Sequence, residues 1–123
     1  LLAEDDLSIS IIVKLALEKI GGHKVEVAGD GNVAYNLAME KDYDLIILDG
    51  MMPGKDGLTV CADLKRTSKS SVPIIFLSAK SQESDIMEGM QKGAIGYIQK
   101  PFDPKTINDQ IQRIVDNYMG KVA

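Results

Sequence analysis

The sequence predicts an α/β protein in which a doubly wound, five-stranded parallel sheet is covered on both faces by five helices. Two observations carry that prediction. Short apolar segments rich in β-branched residues alternate along the chain with longer segments of helical periodicity. The best of the short segments, Leu45-Ile46-Ile47-Leu48 and Ile74-Ile75-Phe76-Leu77, are continuously apolar instead of alternating, the habit of strands buried on both faces. Right-handed crossovers through helices then follow from a parallel order.

The elements are read in chain order. Leu1-Leu2-Ala3 is a short first strand ending in the acidic run Glu4-Asp5-Asp6, and a few residues are expected to be missing at its start. Ile9, Ile12, Val13, Ala16 and Ile20 mark the inner face of a first helix, stopped by Gly21-Gly22. Lys24 to Ala28 is the second strand and Gly31 to Lys41 the second helix. Asp44 to Leu48 is the third strand, followed by a helix from Leu58 to Thr67 with Val60, Cys61 and Leu64 facing inward. Pro73 to Ser78 is the fourth strand, and Ser81 to Gln91 a helix using Ile86 and Met90. Ile95 to Gln99 closes the sheet. The last helix takes Asp103 as cap and Pro104 as its first residue, burying Ile107, Ile111, Ile114, Val115 and Tyr118.

Composition bounds the rest. A chain of 123 residues without linker, repeat or low-complexity stretch reads as one domain over 1–123, and 45% hydrophobic residues suffice for a packed core. A net charge of −4 argues against direct nucleic-acid binding by this domain. The uninterrupted apolar runs are too short for a membrane span or a signal-peptide core, so no membrane association and a cytoplasmic location are expected. With one cysteine, Cys61, and one histidine, His23, any metal must be held by oxygen. Cys61 reads as a small buried apolar residue and His23 as an exposed turn residue.

In open α/β sheets ligands gather beyond the carboxyl ends of the strands. There the sequence places Asp5-Asp6 after strand one, Asp49 after strand three, Ser78 after strand four and Lys100-Pro101 after strand five. The spacings of 43, 29 and 22 positions from Asp6 through Asp49 and Ser78 to Lys100 each match one or two strand-helix units. Carboxylates converging on one edge repel unless a cation joins them, and a hard cation such as Mg²⁺ suits an all-oxygen set with a place left for a phosphoryl oxygen. Lys100 supplies a point charge for phosphate and Ser78 a hydroxyl, and Asp49, the middle carboxylate, would be the nucleophile that forms a covalent aspartyl phosphate.

Together, Glu4-Asp5-Asp6, the run Leu48-Asp49-Gly50-Met51-Met52-Pro53-Gly54-Lys55-Asp56-Gly57, Leu77-Ser78-Ala79 and Lys100-Pro101-Phe102 resemble the receiver domain of two-component response regulators over essentially the whole chain. The resemblance implies a flavodoxin-like strand order 2-1-3-4-5, the order of the chemotaxis receiver. It implies Asp5 and Asp6 as metal site, Asp49 as phosphoacceptor and metal ligand, and the Met51 backbone carbonyl as a further metal ligand. It also implies Lys100 as the phosphate-contacting lysine, Ser78 and Tyr97 as the switch pair, and a cis bond before Pro101. The expected function is a phosphorylation-driven switch. Mg²⁺ is its cofactor, a sensor histidine kinase or phosphotransfer protein its donor, and the face of the fourth helix, fifth strand and fifth helix its readout. It is expected not to be an enzyme beyond its own phosphorylation and dephosphorylation. Two other classes compete: a haloacid-dehalogenase-like phosphatase, whose nucleophile should end the first strand instead of the third, and a phosphorylation-independent pseudo-receiver.

Overall fold

The computed structural model describes residues 1–79 and 83–122. Along the chain run β1 (Leu2–Ala3), α1 (Leu7–Lys19), β2 (Val27–Ala28), α2 (Gly31–Glu40), β3 (Ile46–Asp49), α3 (Gly57–Lys65), β4 (Ile74–Ser78), α4 (Glu83–Gln91), β5 (Gly96–Gln99) and α5 (Ile107–Val122). All the strand pairings are parallel and the sheet order is β2-β1-β3-β4-β5. The expected fold class and strand order are therefore those observed.

Consecutive residues of the central strands feed different cores. Ile46, Leu48, Ile74 and Phe76 pack with Ala34 and Ala38 of α2 and Val60, Cys61 and Leu64 of α3. Ile47, Ile75 and Leu77 pack with Val13, Ala16 and Leu17 of α1 and Ile107 and Ile111 of α5. Every second residue points to the same side of a strand, so a continuously apolar segment fills both layers at once.

Three helices start on the same device. Asp6, Asp30 and Asp56 each sit in extended backbone and accept a hydrogen bond from the amide three residues on, at Ile9 (3.2 Å), Val33 (2.8 Å) and Thr59 (2.8 Å). Each bond satisfies one of the amide groups that a first helical turn leaves without a partner.

Several expected boundaries and faces shift. The second strand is ladder-paired only over Val27–Ala28, because its neighbour β1 offers only Leu2–Ala3 as a partner. On α1 the buried residues are Ser10, Val13, Ala16 and Leu17, while Ile12 and Ile20 face outward, so the inner stripe is rotated from the expected one. Met90 of α4 is exposed, and Gly89 takes the inward place against Phe76. The start of the fourth-helix segment at Ser81 lies outside the described residues. Helix α5 begins at Ile107 instead of Pro104: Asp103 caps a preceding turn, its carboxylate accepting from the Lys105 amide at 2.9 Å and its carbonyl from the amides of Thr106 and Ile107. Ile107 and Ile111 are buried as expected, and Ile114, Val115 and Tyr118 are half-buried.

Candidate functional site

The carboxyl ends of β1, β3, β4 and β5 converge on one edge of the sheet. Asp49 closes β3 and is 6% exposed, its backbone held by pairing with β4. The Lys100 ammonium lies 3.4 Å from Asp49 Oδ2 and donates to Glu4 Oε1 at 2.6 Å. It comes from the residue after β5, whose amide donates to the Ser78 carbonyl at 2.8 Å. The Lys100–Pro101 bond is cis, as the resemblance implies.

Glu4, Asp5 and Asp49 each bring a carboxylate oxygen within 4.8 Å of the others. Asp6 is not in this group. Its carboxylate is committed to the α1 cap, and it is exposed, whereas Glu4 is buried at 2% exposure. The expected acidic pair Asp5-Asp6 is therefore corrected to Glu4-Asp5. The physical reason is position along β1: Glu4 follows the last strand residue, its amide donates to the Ala28 carbonyl in the line of the ladder, and it falls on the same side as Leu2. Asp6 already belongs to the helix start. The cap spacing Asp6-Leu7-Ser8-Ile9 ahead of an apolar helical segment was the signal available in the sequence.

The electrostatics follow from this crowding. Burial pushes the Glu4 carboxyl up to about 7, with the neighbouring Asp49 carboxylate adding to the rise and Lys100 opposing it. Burial works against the charge on Lys100, but its carboxylate partners Glu4 and Asp49 outweigh that and hold its pKa above the ordinary lysine value. The edge thus carries more negative than positive charge at close range, which a divalent cation would offset. The donor set, all hard carboxylate oxygens, fits Mg²⁺.

The loop after Asp49 is tightly built. The Met51 amide donates to Asp49 Oδ1 at 3.2 Å and the Gly57 amide to the Gly50 carbonyl at 3.2 Å. A side chain on Gly57 would strike the Asp49 carbonyl, and one on Gly31 the Lys55 carbonyl, so glycine is required at both close approaches. The Lys55 ammonium lies 4.2 Å from the Tyr35 ring centroid and 2.8 Å from Asp63 Oδ2, tying the loop to α2 and α3. Met51 itself is exposed.

Ser78 closes β4, 1% exposed, on the strand face that also carries Phe76. The Phe76 and Tyr97 rings lie 6.1 Å apart between centroids, tilted by 38°, and Gly89 of α4 stands against both. A cleft of about 560 Å³ opens at the opposite, amino-terminal edge of the strands, between Leu1, Val25, Tyr43 and Leu45, and contains none of these groups.

A family model for the response regulator receiver domain matches residues 1–112. The chain belongs to this family. Among curated relatives, the receiver domain here is 39% identical over 118 residues to the uncharacterized transcriptional regulatory protein YclJ of Bacillus subtilis, covering 96% of this chain and 51% of YclJ. It is 38% identical to the alkaline phosphatase synthesis transcriptional regulatory protein PhoP of the same organism, covering 94% of this chain and 47% of PhoP. The chain thus spans about half the length of these curated relatives. Among solved structures, the receiver domain of the Francisella response regulator 1452 superposes with a TM-score of 0.86 at 30% identity, covering 95% of each chain. The chemotaxis response regulator CheY4 of Vibrio cholerae gives 0.85 at 32% identity, covering 92% of this chain and 94% of its own. Membership in the receiver family favours the signalling reading over the phosphatase one. Among the described residues no helix is long and apolar enough to cross a membrane.

Proposed function

We propose that this receiver domain takes a phosphoryl group on Asp49 and uses Ser78 and Tyr97 to report it. The observation that carries the proposal is the placement of Lys100, whose ammonium stands between the buried Asp49 and Glu4 carboxylates at 3.4 and 2.6 Å. Asp49 Oδ attacks phosphorus, forming a new P–O bond as the donor's bond to phosphorus breaks, and the leaving group departs with that electron pair. Lys100 offsets negative charge on the acceptor and on the incoming oxygens. Glu4, Asp5, Asp49 and, as the family resemblance implies, the Met51 carbonyl would hold Mg²⁺, whose charge offsets that of the phosphoryl oxygens. The Ser78 hydroxyl donates to a phosphoryl oxygen that exists only in the modified state, so it biases one of two arrangements by differential interaction. Tyr97, stacked beside Phe76 and Gly89, carries that bias to the face of α4, β5 and α5.

The donor is a sensor histidine kinase or a phosphotransfer protein, and the setting is cytoplasmic. The domain turns over no separate substrate; it catalyses its own phosphorylation and dephosphorylation. Incubation with acetyl phosphate and Mg²⁺ should add one phosphoryl group, detected by mass spectrometry, and chelation should abolish the addition. Asp49→Asn keeps the shape and removes the nucleophile. Label persisting on that variant would assign the acceptor elsewhere, and no label on the parent would favour a phosphorylation-independent interaction module.

A further inference from the structure

We infer that Cys61 and Lys65 of α3 form a fixed seat for the carboxyl end of α4, about which α4 pivots when the acceptor site is modified. This pivot rests on the proposed readout through α4.

The end of α4 closes in a Schellman arrangement: the Gly93 amide donates to the Met90 carbonyl at 3.1 Å and the Ala94 amide to the Gly89 carbonyl at 3.3 Å. Gly93 stands at φ +113°, in the region that favours glycine. The carbonyl of Lys92 is one of those that a helix end leaves without an intrahelical partner. The Cys61 thiol supplies its donor, at 3.4 Å. Cys61 is buried, and burial pushes the thiol up to about 11, so the sulfur keeps the proton it donates. One turn further along α3, the Lys65 stem lies against Gly93, where a Cβ would come within 2.8 Å of Lys65 Cγ and 3.0 Å of its Cε. The Lys65 ammonium is held in turn by the carbonyls of Ser70 at 2.9 Å and Val72 at 3.1 Å, ahead of β4. Beyond the seat, Ala94 is buried in the same core as Cys61 and Leu64, and the Ile95 amide donates to the Ile74 carbonyl at 2.8 Å.

The seat is fixed relative to the acceptor because α3 is. Gly57, the first residue of α3, packs on the Asp49 carbonyl and donates its amide to the Gly50 carbonyl, and Val60, Cys61 and Leu64 are buried along the helix. The rest of α4 is placed differently. Gly89, in the last turn, is buried against Phe76 and Tyr97, whereas Ser84, Met87 and Glu88 are exposed. A rod held at one end answers a push by rotating about that end. Over the 9 residues of α4, about 13 Å in length, a rotation of about 10° carries the amino end about 2 Å, a size common for helix shifts in switching proteins. Gln91, beside the seat, moves by a small fraction of that.

Distances between nitroxide labels test the pivot. One label on Asn36→Cys, exposed on α2, is paired with a second on Ser84→Cys or on Gln91→Cys, both exposed on α4, while the buried Cys61 is spared. Beryllofluoride with Mg²⁺ should change the Ser84 distance by about 2 Å and the Gln91 distance by less than half as much. In a Cys61→Ala, Lys65→Ala background the Gln91 change should rise to match that at Ser84. Equal changes at both positions in the parent, or the same unequal pair once the seat is removed, overturn the inference. Amide hydrogen exchange in the unmodified protein reads the seat without phosphorylation. Cys61→Ala should speed exchange at Gly93 and Ala94 by about fivefold, the weight of one net hydrogen bond, and leave the Lys41 amide at the end of α2 at the parental rate. Unchanged exchange at Gly93 and Ala94, or an equal rise at Lys41, also overturns the inference. A parent in which neither distance responds refutes the α4 readout instead, and the exchange comparison still decides the seat. Should the double variant fail to fold, Lys65→Ala alone carries the same distance comparison.

Discussion

At the scale of single residues, Asp6 and Glu4 do separate work, and two variants distinguish them. The Asp6 carboxylate serves the amide of Ile9. Asp6→Ala should therefore cost about 1 kcal/mol of stability, as lost N-caps do, in chemical denaturation, while Mg²⁺-dependent labelling of Asp49 proceeds at the parental rate. Glu4 carries a pH signature instead. Its carboxyl is raised from an ordinary 4.5 to about 7, chiefly by burial, so between those values the folded protein holds a proton that the unfolded chain has released. Stability of the metal-free protein should accordingly be greatest near the lower value and decline as pH rises through this window. Glu4→Gln should flatten the decline; a parent that gains stability from Glu4 over the same range would contradict the assignment. The sequence displayed all three carboxyls but not which of them the strand would carry inward, because two ladder residues give too short an alternation to fix the phase.

At the scale of elements, α1 shows what periodicity can and cannot decide. Leu7, Ile9, Ile11, Ile12, Val13, Leu15, Ala16, Leu17 and Ile20 place apolar residues all around the helix, so the inner face expected through Ile9, Ile12, Val13, Ala16 and Ile20 was one of several that the sequence allows. Packing against β1, β3 and α5 selects Val13, Ala16 and Leu17, leaving Ile12 42% exposed. Leu17→Ala should cost about 2–5 kcal/mol in urea denaturation, the range for cavities in a closed core. Ile12→Ala should stay within about 0.5 kcal/mol of the parent, as surface changes do. The late start of α5 has a similar origin: Asp103 and Pro104 are good helix-opening residues, but Asp103 spends its carboxylate and carbonyl on a turn that carries the chain from the site to Ile107. The helix capped by Asp56 was more legible, since Val60, Cys61 and Leu64 are buried as expected, whereas α2 buries the small Ala34 and Ala38 among the larger apolar Val33, Leu37 and Met39.

At the scale of the whole molecule, the strands were visible as apolar segments, whereas their lateral order came from family resemblance and is now seen in the pairings. The layer that contains Ser78, Phe76, Tyr97 and Gly89 is the one expected to move. Addition of a beryllofluoride phosphoryl mimic with Mg²⁺ should shift the NMR resonances of Ser78, Gly89 and Tyr97 together with those of Asp5 and the Asp49 loop. Shifts confined to Asp5 and that loop would mean that the site binds the mimic without passing it to α4 and β5.

The alternation of β3 and β4 between two cores has an evolutionary consequence. Glu4 and Asp49 fall on the side of the sheet lined by α1 and α5, and Ser78 and Phe76 on the side lined by α2 and α3. The sheet is therefore a partition between two inheritable halves. Substitutions among Val13, Leu17, Ile107 and Ile111 can be compensated within their own layer without disturbing the packing around Phe76 and Tyr97. A lineage can thus repack the core around Val13 and Leu17 while the packing around Phe76 and Tyr97 is kept, whereas the face of α4, β5 and α5 draws on both layers and is constrained by each.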